Sequence, residues 1–271
     1  MTAFRGLCLS IFAFVHFLPV DAAALRRTLT EAEEAQLNEH LPFGLPSDGT
    51  LLFRKGYILS HNNWLKIPNW AAYHVSSTTL KGTVKRGDDF RADPELKPWQ
   101  RAEPADYRKS GYDQGHMAPA AAMKRSKSAM SESFLLSNMA PQVGVGFNRG
   151  VWRILEDRVR DWAVARGDGY VFIGPVFKDV DGVMQFKLIG KSRVAVPTHC
   201  FMILVTKDRQ GKLEAIAFML PNAKGKEDDL AGYTVSIHEI ERLTGLDFLD
   251  QLPDDQENEL EAKRAEELWQ Y

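Results

Sequence analysis

Three apolar runs, residues 169–177, 194–207 and 213–220, constrain this chain most. Each is strand-like and bounded by Gly, Asp or Pro signals, which points to sheet rather than helix. Ahead of them, residues 150–166 place Val151, Leu155, Val159 and Trp162 on one stripe at helical spacing, with Ile154 beside it. A one-faced helix next to apolar strands predicts an α+β domain with a central antiparallel sheet flanked by helices.

The remaining segments fit around that frame. Residues 29–40 read as a short polar helix ended by a Pro- and Gly-rich stretch, and residues 51–60 and 70–76 as strands rich in aromatics. Residues 82–107 are charged, hold Pro94, Pro98 and Pro104, and are expected to be an extended surface loop. Further helices are expected over 126–136 and 233–244, with an acidic, solvated helical tail over 254–271. No repeat or low-complexity linker divides the chain, so residues 25–253 form a single domain. Trp64, Trp70, Trp99 and Trp152 are expected to anchor core and loops.

The N-terminal 24 residues have a different character. One arginine precedes a mostly apolar run that ends in Val-Asp-Ala-Ala-Ala, the layout of a secretory signal peptide. As a membrane anchor the run is short of the ~20 apolar residues a spanning helix needs, and it contains His16 and Pro19. The mature protein is expected to be exported, secreted or periplasmic, without stable membrane association. Cys8 lies in this leader, so Cys200 is left without an intramolecular partner and is expected to be a buried small hydrophobe. With 44% hydrophobic and 26% charged residues and a net charge of −2, the composition is that of a globular protein with no overall basic field for phosphate.

Two windows concentrate chemically capable side chains. In GYDQGHMAPAA, residues 111–121, a histidine follows a glycine in a segment too interrupted for a long element, so His116 is either core filler or a base aimed at a cleft. In residues 137–163, Asn148 stands just before a helix on which Glu156 and Arg160 share one edge. Alone, Asn148 reads equally as a helix cap, and Glu156 with Arg160 as an exposed ion pair. Other signatures fail: HEIER at His238 lacks the second histidine of a helical zinc site, and no CxxC, phosphate-binding glycine loop or G-x-S-x-G elbow is present.

The ordered set D-x-G-H-M-A-P-A, FLLSNMAPQ and FNRGVWRILED resembles the nonspecific DNA/RNA endonucleases of the ββα-metal type. NWAAYHVS, FRADPELKP with DYRKSGYD, VFIGPVF, FMLPN and IHEIERLTGLDFLDQLPD agree, so the resemblance covers roughly residues 41–254. It implies DNA and RNA as substrates, Mg²⁺ or alternatively Mn²⁺ as cofactor, and a homodimer as one assembly to consider. It also implies His116 as general base, Asn148 as metal ligand, Glu156 as holder of metal-bound water and Arg160 as stabiliser of transition-state charge. Asn138 would organise the turn beneath the site. Asp113, Gln114 and either Arg86 or Arg91 would face substrate.

One position departs from the family pattern. Gln114 stands where the family usually has arginine, which exchanges a bidentate, charged phosphate ligand for a neutral amide. Lys124, Arg125 and Lys127 lie close enough in sequence to replace part of that charge. The alternatives are therefore a catalytically weakened nucleic-acid-binding relative, and a phosphodiesterase for small nucleotides. As a base, His116 must be neutral, so activity is expected to fall as pH drops through its pKa.

Overall fold

The computed structural model describes residues 29–180, 183–184 and 186–270. The expected leader and Cys8 lie outside them. Helix α1 (Glu31–His40) opens on a capping box made by Thr30 and Glu33. Strands β1 (Thr50–Arg54), β2 (Tyr57–Asn62) and β3 (Ile67–Ser76) follow. The single strand expected over 51–60 is thus a hairpin, because the chain turns at Lys55 and Gly56.

Next come α2 (Pro104–Tyr107), β4 (Asp113–His116), α3 (Lys127–Glu132), β5 (Met139–Gln142) and α4 (Trp152–Ala165). Helix α3 is shorter than expected. Ser126 caps its start, and the chain then turns into a 3₁₀ segment, Leu136–Asn138. Beyond α4 lie β6 (Asp168–Val176), β7 (Asp179–Val180), β8 (Val183–Met184), β9 (Lys187–Ile189) and β10 (Val194–Val196). The chain closes with β11 (His199–Lys207), β12 (Leu213–Pro221), β13 (Thr234–Val235), α5 (Ile237–Thr244) and α6 (Asp254–Ala262). The run 194–207 divides at Pro197, which has no N–H to donate, so β10 pairs with β9 while β11 joins the main sheet.

That sheet has seven strands in the order β1-β2-β3-β6-β11-β12-β13, and each neighbouring pair is antiparallel. Side chains alternate across it, as the pleat requires. Val171, Ile173, Cys200, Met202 and Leu204 enter one core with Leu155, Val159 and Trp162 of α4. Phe172, Phe201, Ile203 and Val205 enter a second core with Ile237, Ile240 and Leu260 of α5 and α6. Cys200 is fully buried and its thiol is pushed up to about 12 by that burial, in keeping with a packing role. Among the described residues no helix is long and apolar enough to cross a membrane.

Three expectations are corrected. The segment 82–107 is no free surface loop: Asp93 is fully buried, accepts a 2.6 Å hydrogen bond from Arg54 of β1, and also accepts one from the Ser137 hydroxyl. Of the four tryptophans, Trp70 and Trp152 are buried, but Trp64 and Trp99 are exposed with ring centroids 6.0 Å apart. Trp64 sits in the β2–β3 turn, where Asn62 Oδ1 accepts from the Trp64 and Leu65 amides and its ring is left in solvent.

The C-terminal segment is helical only to Ala262, and the residues after it pack back on the domain. Trp269 docks against Trp162, whose Nε1 donates to the Trp269 carbonyl at 2.7 Å, and Arg166 covers its ring at 3.9 Å. An aromatic residue near the chain end outcompetes helix continuation by burying itself on α4.

Removing Asp93 leaves the Arg54 guanidinium, 4% exposed, buried without its main partner. Asp93→Ala is expected to cost about 3–5 kcal/mol of stability, read as a fall in the midpoint of urea unfolding with an unchanged slope.

Candidate active site

The site is built on the antiparallel pair β4–β5, in register Asp113↔Gln142, Gln114↔Pro141, Gly115↔Ala140 and His116↔Met139. Gly115 is required by proximity, since a Cβ there would overlap the fully buried Gln142 side chain. Asn138 then braces the chain just after the histidine. Its amide is buried, accepts from the Ala118 N–H at 2.9 Å, and donates to the carbonyls of Ala118 and Ser133 at 2.9 Å each. The Met117 N–H also donates to the Asn138 carbonyl at 2.9 Å. Asn138 therefore organises the turn, as its position suggested.

His116 ends β4 and is 8% exposed. The edges of Phe90 and Phe134 meet its ring at centroid distances of 5.6 and 5.0 Å, and its Nε2 is buried without a hydrogen-bond partner. Burial, followed by the charge of Arg86, lowers the imidazole pKa to about 3. The ring is neutral at any ordinary pH.

The segment Gly144–Val151 leads into α4 through a wide π-type turn, in which Gly146 takes φ +87°. Asn148 sits in that turn, and its Nδ2 donates to Asp113 Oδ2 at 3.0 Å. Arg149 Nε also reaches Asp113 Oδ2 at 3.0 Å, and Gly144 leaves no room for a Cβ beside Arg149 and Asp113. Asp113, expected to face substrate, is thus occupied in positioning Asn148 across from β4. With Nδ2 committed, the Asn148 Oδ1 is the amide atom available to a cation or a water.

On α4, Glu156 is half-buried. Burial raises its pKa to about 7, against the opposing attraction of Arg160 and, more weakly, Arg86. Arg160 pairs with Asp157 one turn earlier rather than serving Glu156 alone, and its NH1 is buried without a partner. The Arg160 guanidinium also lines a depression shared with Leu80, Ala121, Lys124, Asp161, Val164 and Ala165.

The two upstream arginines differ in their partners. Arg86 is exposed, its guanidinium lies 5.3 Å from the Phe134 ring centroid, and its charge bears on both His116 and Glu156. Arg91 is tied to Asp89 and to the Ser131 carbonyl and belongs to the scaffold. Gln114 is partly exposed, and two residues from His116 it lies on the same face of β4. Of the nearby cations, Arg125 is spent on Glu39 and the Lys55 carbonyl, whereas Lys124 lines the depression beside Arg160. Sequence reasoning missed Phe90 and Phe134 as the walls of the histidine and Asp157 as the partner of Arg160. The only signal for Phe134 was its place in FLLSN.

The arrangement offers a neutral imidazole, a carboxyl held up by burial, an amide oxygen, the exposed Arg86 guanidinium and the unpartnered Nη1 of Arg160. Carboxyl and amide oxygens are donors that suit a divalent cation, whose charge would favour the ionised form of Glu156.

A family model described as DNA/RNA non-specific endonuclease matches residues 36–255. A nuclease of Syncephalastrum racemosum is 40% identical over 217 residues, which span 74% of this chain and 68% of that protein. Mitochondrial endonuclease G of Homo sapiens is 36% identical over 214 residues, spanning 76% and 72%. Among solved structures, an endonuclease G in complex with the inhibitor EndoGI superposes with a TM-score of 0.76 at 32% identity, covering 85% of this chain and 96% of that one.

Two outcomes are expected from the geometry. Asn138→Ala strands three buried backbone groups, so a loss of about 2–4 kcal/mol is expected in denaturant unfolding. Glu156 is protonated more readily folded than unfolded, so it weakens the fold as pH rises from 4.5 through about 7. Glu156→Gln should therefore raise Tm by about 2–4 °C at pH 8 and leave it nearly unchanged at pH 4, read by calorimetry.

Proposed function

Because the chain belongs to the DNA/RNA non-specific endonuclease family, we propose that it is a Mg²⁺-dependent nuclease hydrolysing phosphodiester bonds of both DNA and RNA. The observation that carries this reading is the neutral His116 at the end of β4, with the charge of Arg86 bearing on both it and Glu156. His116 takes a proton from water as the water oxygen bonds to phosphorus; its Nε2 is buried without a hydrogen-bond partner, so the ring is held by the Phe90 and Phe134 contacts. The bond from phosphorus to the leaving oxygen breaks, and that oxygen collects a proton from solvent. Arg86 grips phosphate, and Arg160 meets the charge that grows on it.

Asn148 Oδ1 and the Glu156 carboxylate are the donors for the cation, Glu156 by way of bound water. When bound, Mg²⁺ supplies positive charge that offsets the developing negative charge on phosphate and leaving oxygen. Contacts to phosphate and sugar carry no base information, which accords with little sequence preference. Export of the protein is proposed from residues 1–24, whose single arginine, apolar run and small residues have the order of a signal peptide.

The test is cleavage of supercoiled plasmid and of a long RNA by protein lacking residues 1–24, with Mg²⁺ or EDTA. Metal-dependent cleavage of both polymers is expected, with a loss of at least about 100-fold in His116→Ala, in line with general-base contributions. Arg86→Ala should lose far more activity than Arg91→Ala at equal folded fraction. Binding that leaves both polymers intact would favour the weakened relative, and Gln114→Arg would then restore cleavage.

The acid limb of the pH profile is assigned to Glu156 and not, as the sequence suggested, to His116. Glu156 takes up a proton below about 7, whereas His116 stays neutral down to about 3. The limb should lie near 7 at low Mg²⁺ and move to lower pH as Mg²⁺ rises, because a cation favours the carboxylate. A limb that ignores Mg²⁺ concentration would count against Glu156 as part of the cation site.

A further inference from the structure

On the face of the sheet opposite α4, helices α5 and α6 enclose a buried carboxylate that the proposed reaction does not use. Glu261 is 3% exposed, and its Oε1 has no hydrogen-bond partner. Its Oε2 lies 3.4 Å from Nε2 of His238. One turn along α5, Glu241 joins them, and one ligand atom from each of the three lies within 4.8 Å of the others. Glu241 Oε1 accepts from the Phe248 N–H at 3.1 Å, which fixes that side chain and leaves its second oxygen for another contact.

The charge balance here is one-sided. The charges that bear most on Glu261 are Glu241, Glu257 and Asp247, all acidic, and Asp250 adds to the field at Glu257. Burial, followed by those charges, raises the Glu261 pKa to about 8, so this carboxyl either keeps a proton, shared with Glu241, or needs a counter-charge beside it. His238 is the nearest candidate on the protein, and it is 43% exposed, which opens a path from solvent.

We propose that His238, Glu241 and Glu261 form a second metal site, for a Zn²⁺-class cation, that fastens α6 to α5. Imidazole nitrogen with two carboxylates suits zinc, whereas Mg²⁺ and Ca²⁺ prefer all-oxygen sets. Zinc bonds of about 2.0–2.2 Å set tetrahedral ligands roughly 3.3 Å apart, and the His238–Glu261 pair already has that spacing. Glu241 needs only a side-chain adjustment, and water completes the fourth position.

The consequence lies in the residues after α6. Arg264 Nε donates to Thr234 Oγ1 at 3.4 Å, Thr234 Oγ1 donates to the Ala265 carbonyl at 2.9 Å, and Trp269 then docks on Trp162 of α4. The chain end is a strap that crosses the β13 edge of the sheet from one core to the other. Zinc at α5–α6 anchors the near end of that strap, whose far end lies on the helix bearing Glu156 and Arg160.

The test uses metal-stripped protein titrated with ZnCl₂ in a saturating Mg²⁺ buffer, with calorimetric titration and thermal unfolding as readouts. One equivalent of zinc should bind at micromolar concentration or below and raise Tm by several degrees. His238→Ala, at a position exposed enough to fold normally, should weaken zinc binding at least tenfold and abolish the Tm shift. Glu241→Gln should weaken it in the same direction, and Asn148→Ala should leave it unchanged. Zinc binding that is equal in His238→Ala and the unsubstituted protein, lost in Asn148→Ala, or absent altogether would overturn the site, the last leaving Glu261 held by a proton shared with Glu241.

Discussion

The structure depends on a buried carboxylate that joins three distant stretches of chain. Asp93 receives Arg54 from β1 and the Ser137 hydroxyl from the turn before β5, while Arg101 reaches the Asp93 carbonyl at 3.1 Å. Residue 137 directly precedes Asn138, whose amide holds the backbone after His116. The path from the outer edge of the sheet to His116 therefore runs through the Arg54–Asp93 ion pair. Such a pair contributes little net stability over apolar packing, but it admits a single arrangement of the groups it joins.

Around this brace the site holds groups away from their preferred protonation states. His116 is kept neutral by its burial between Phe90 and Phe134 and by the charge of Arg86. Glu156 is kept near 7 by burial, against the pull of Arg160. The two shifts have one cause, since burial favours the uncharged form of each group. Glu156 therefore withholds stability from the fold above its raised pKa.

The outer faces of the sheet are connected by the chain end rather than by the core. α6 lies with α5 over one face, and the residues after it reach the other face at Trp162, beneath the helix that carries Glu156 and Arg160. A C-terminal segment that reads as a free acidic helix thus becomes a contact between the two layers. Its acidic residues have separate tasks: Glu259 pairs with Lys212 on the surface at 2.8 Å, whereas Glu261 turns inward among other carboxylates.

Much of this was legible in the residues themselves. The period-two alternation of the strands, the stripe on α4 and the burial of Cys200 come from local pattern, because side-chain direction is set by backbone repeat, whereas the bracing part of Asn138 was implied by the family resemblance. The family was readable from several ordered motifs. What the chain could not disclose locally were contacts between residues far apart: Asp113 reaching Asn148, Asp93 reaching Arg54, and Trp269 reaching Trp162. Two arginines five residues apart looked interchangeable, and only their three-dimensional partners separated Arg86, against Phe134, from Arg91, tied to Asp89 and the Ser131 carbonyl. The pKa values of His116 and Glu156 belong to the same class, since burial is a property of the whole packed domain and not of any segment. Sequence by itself determined which elements form and which side chains have the needed chemistry; tertiary structure decided which of them meet, because that is settled by packing across the sheet.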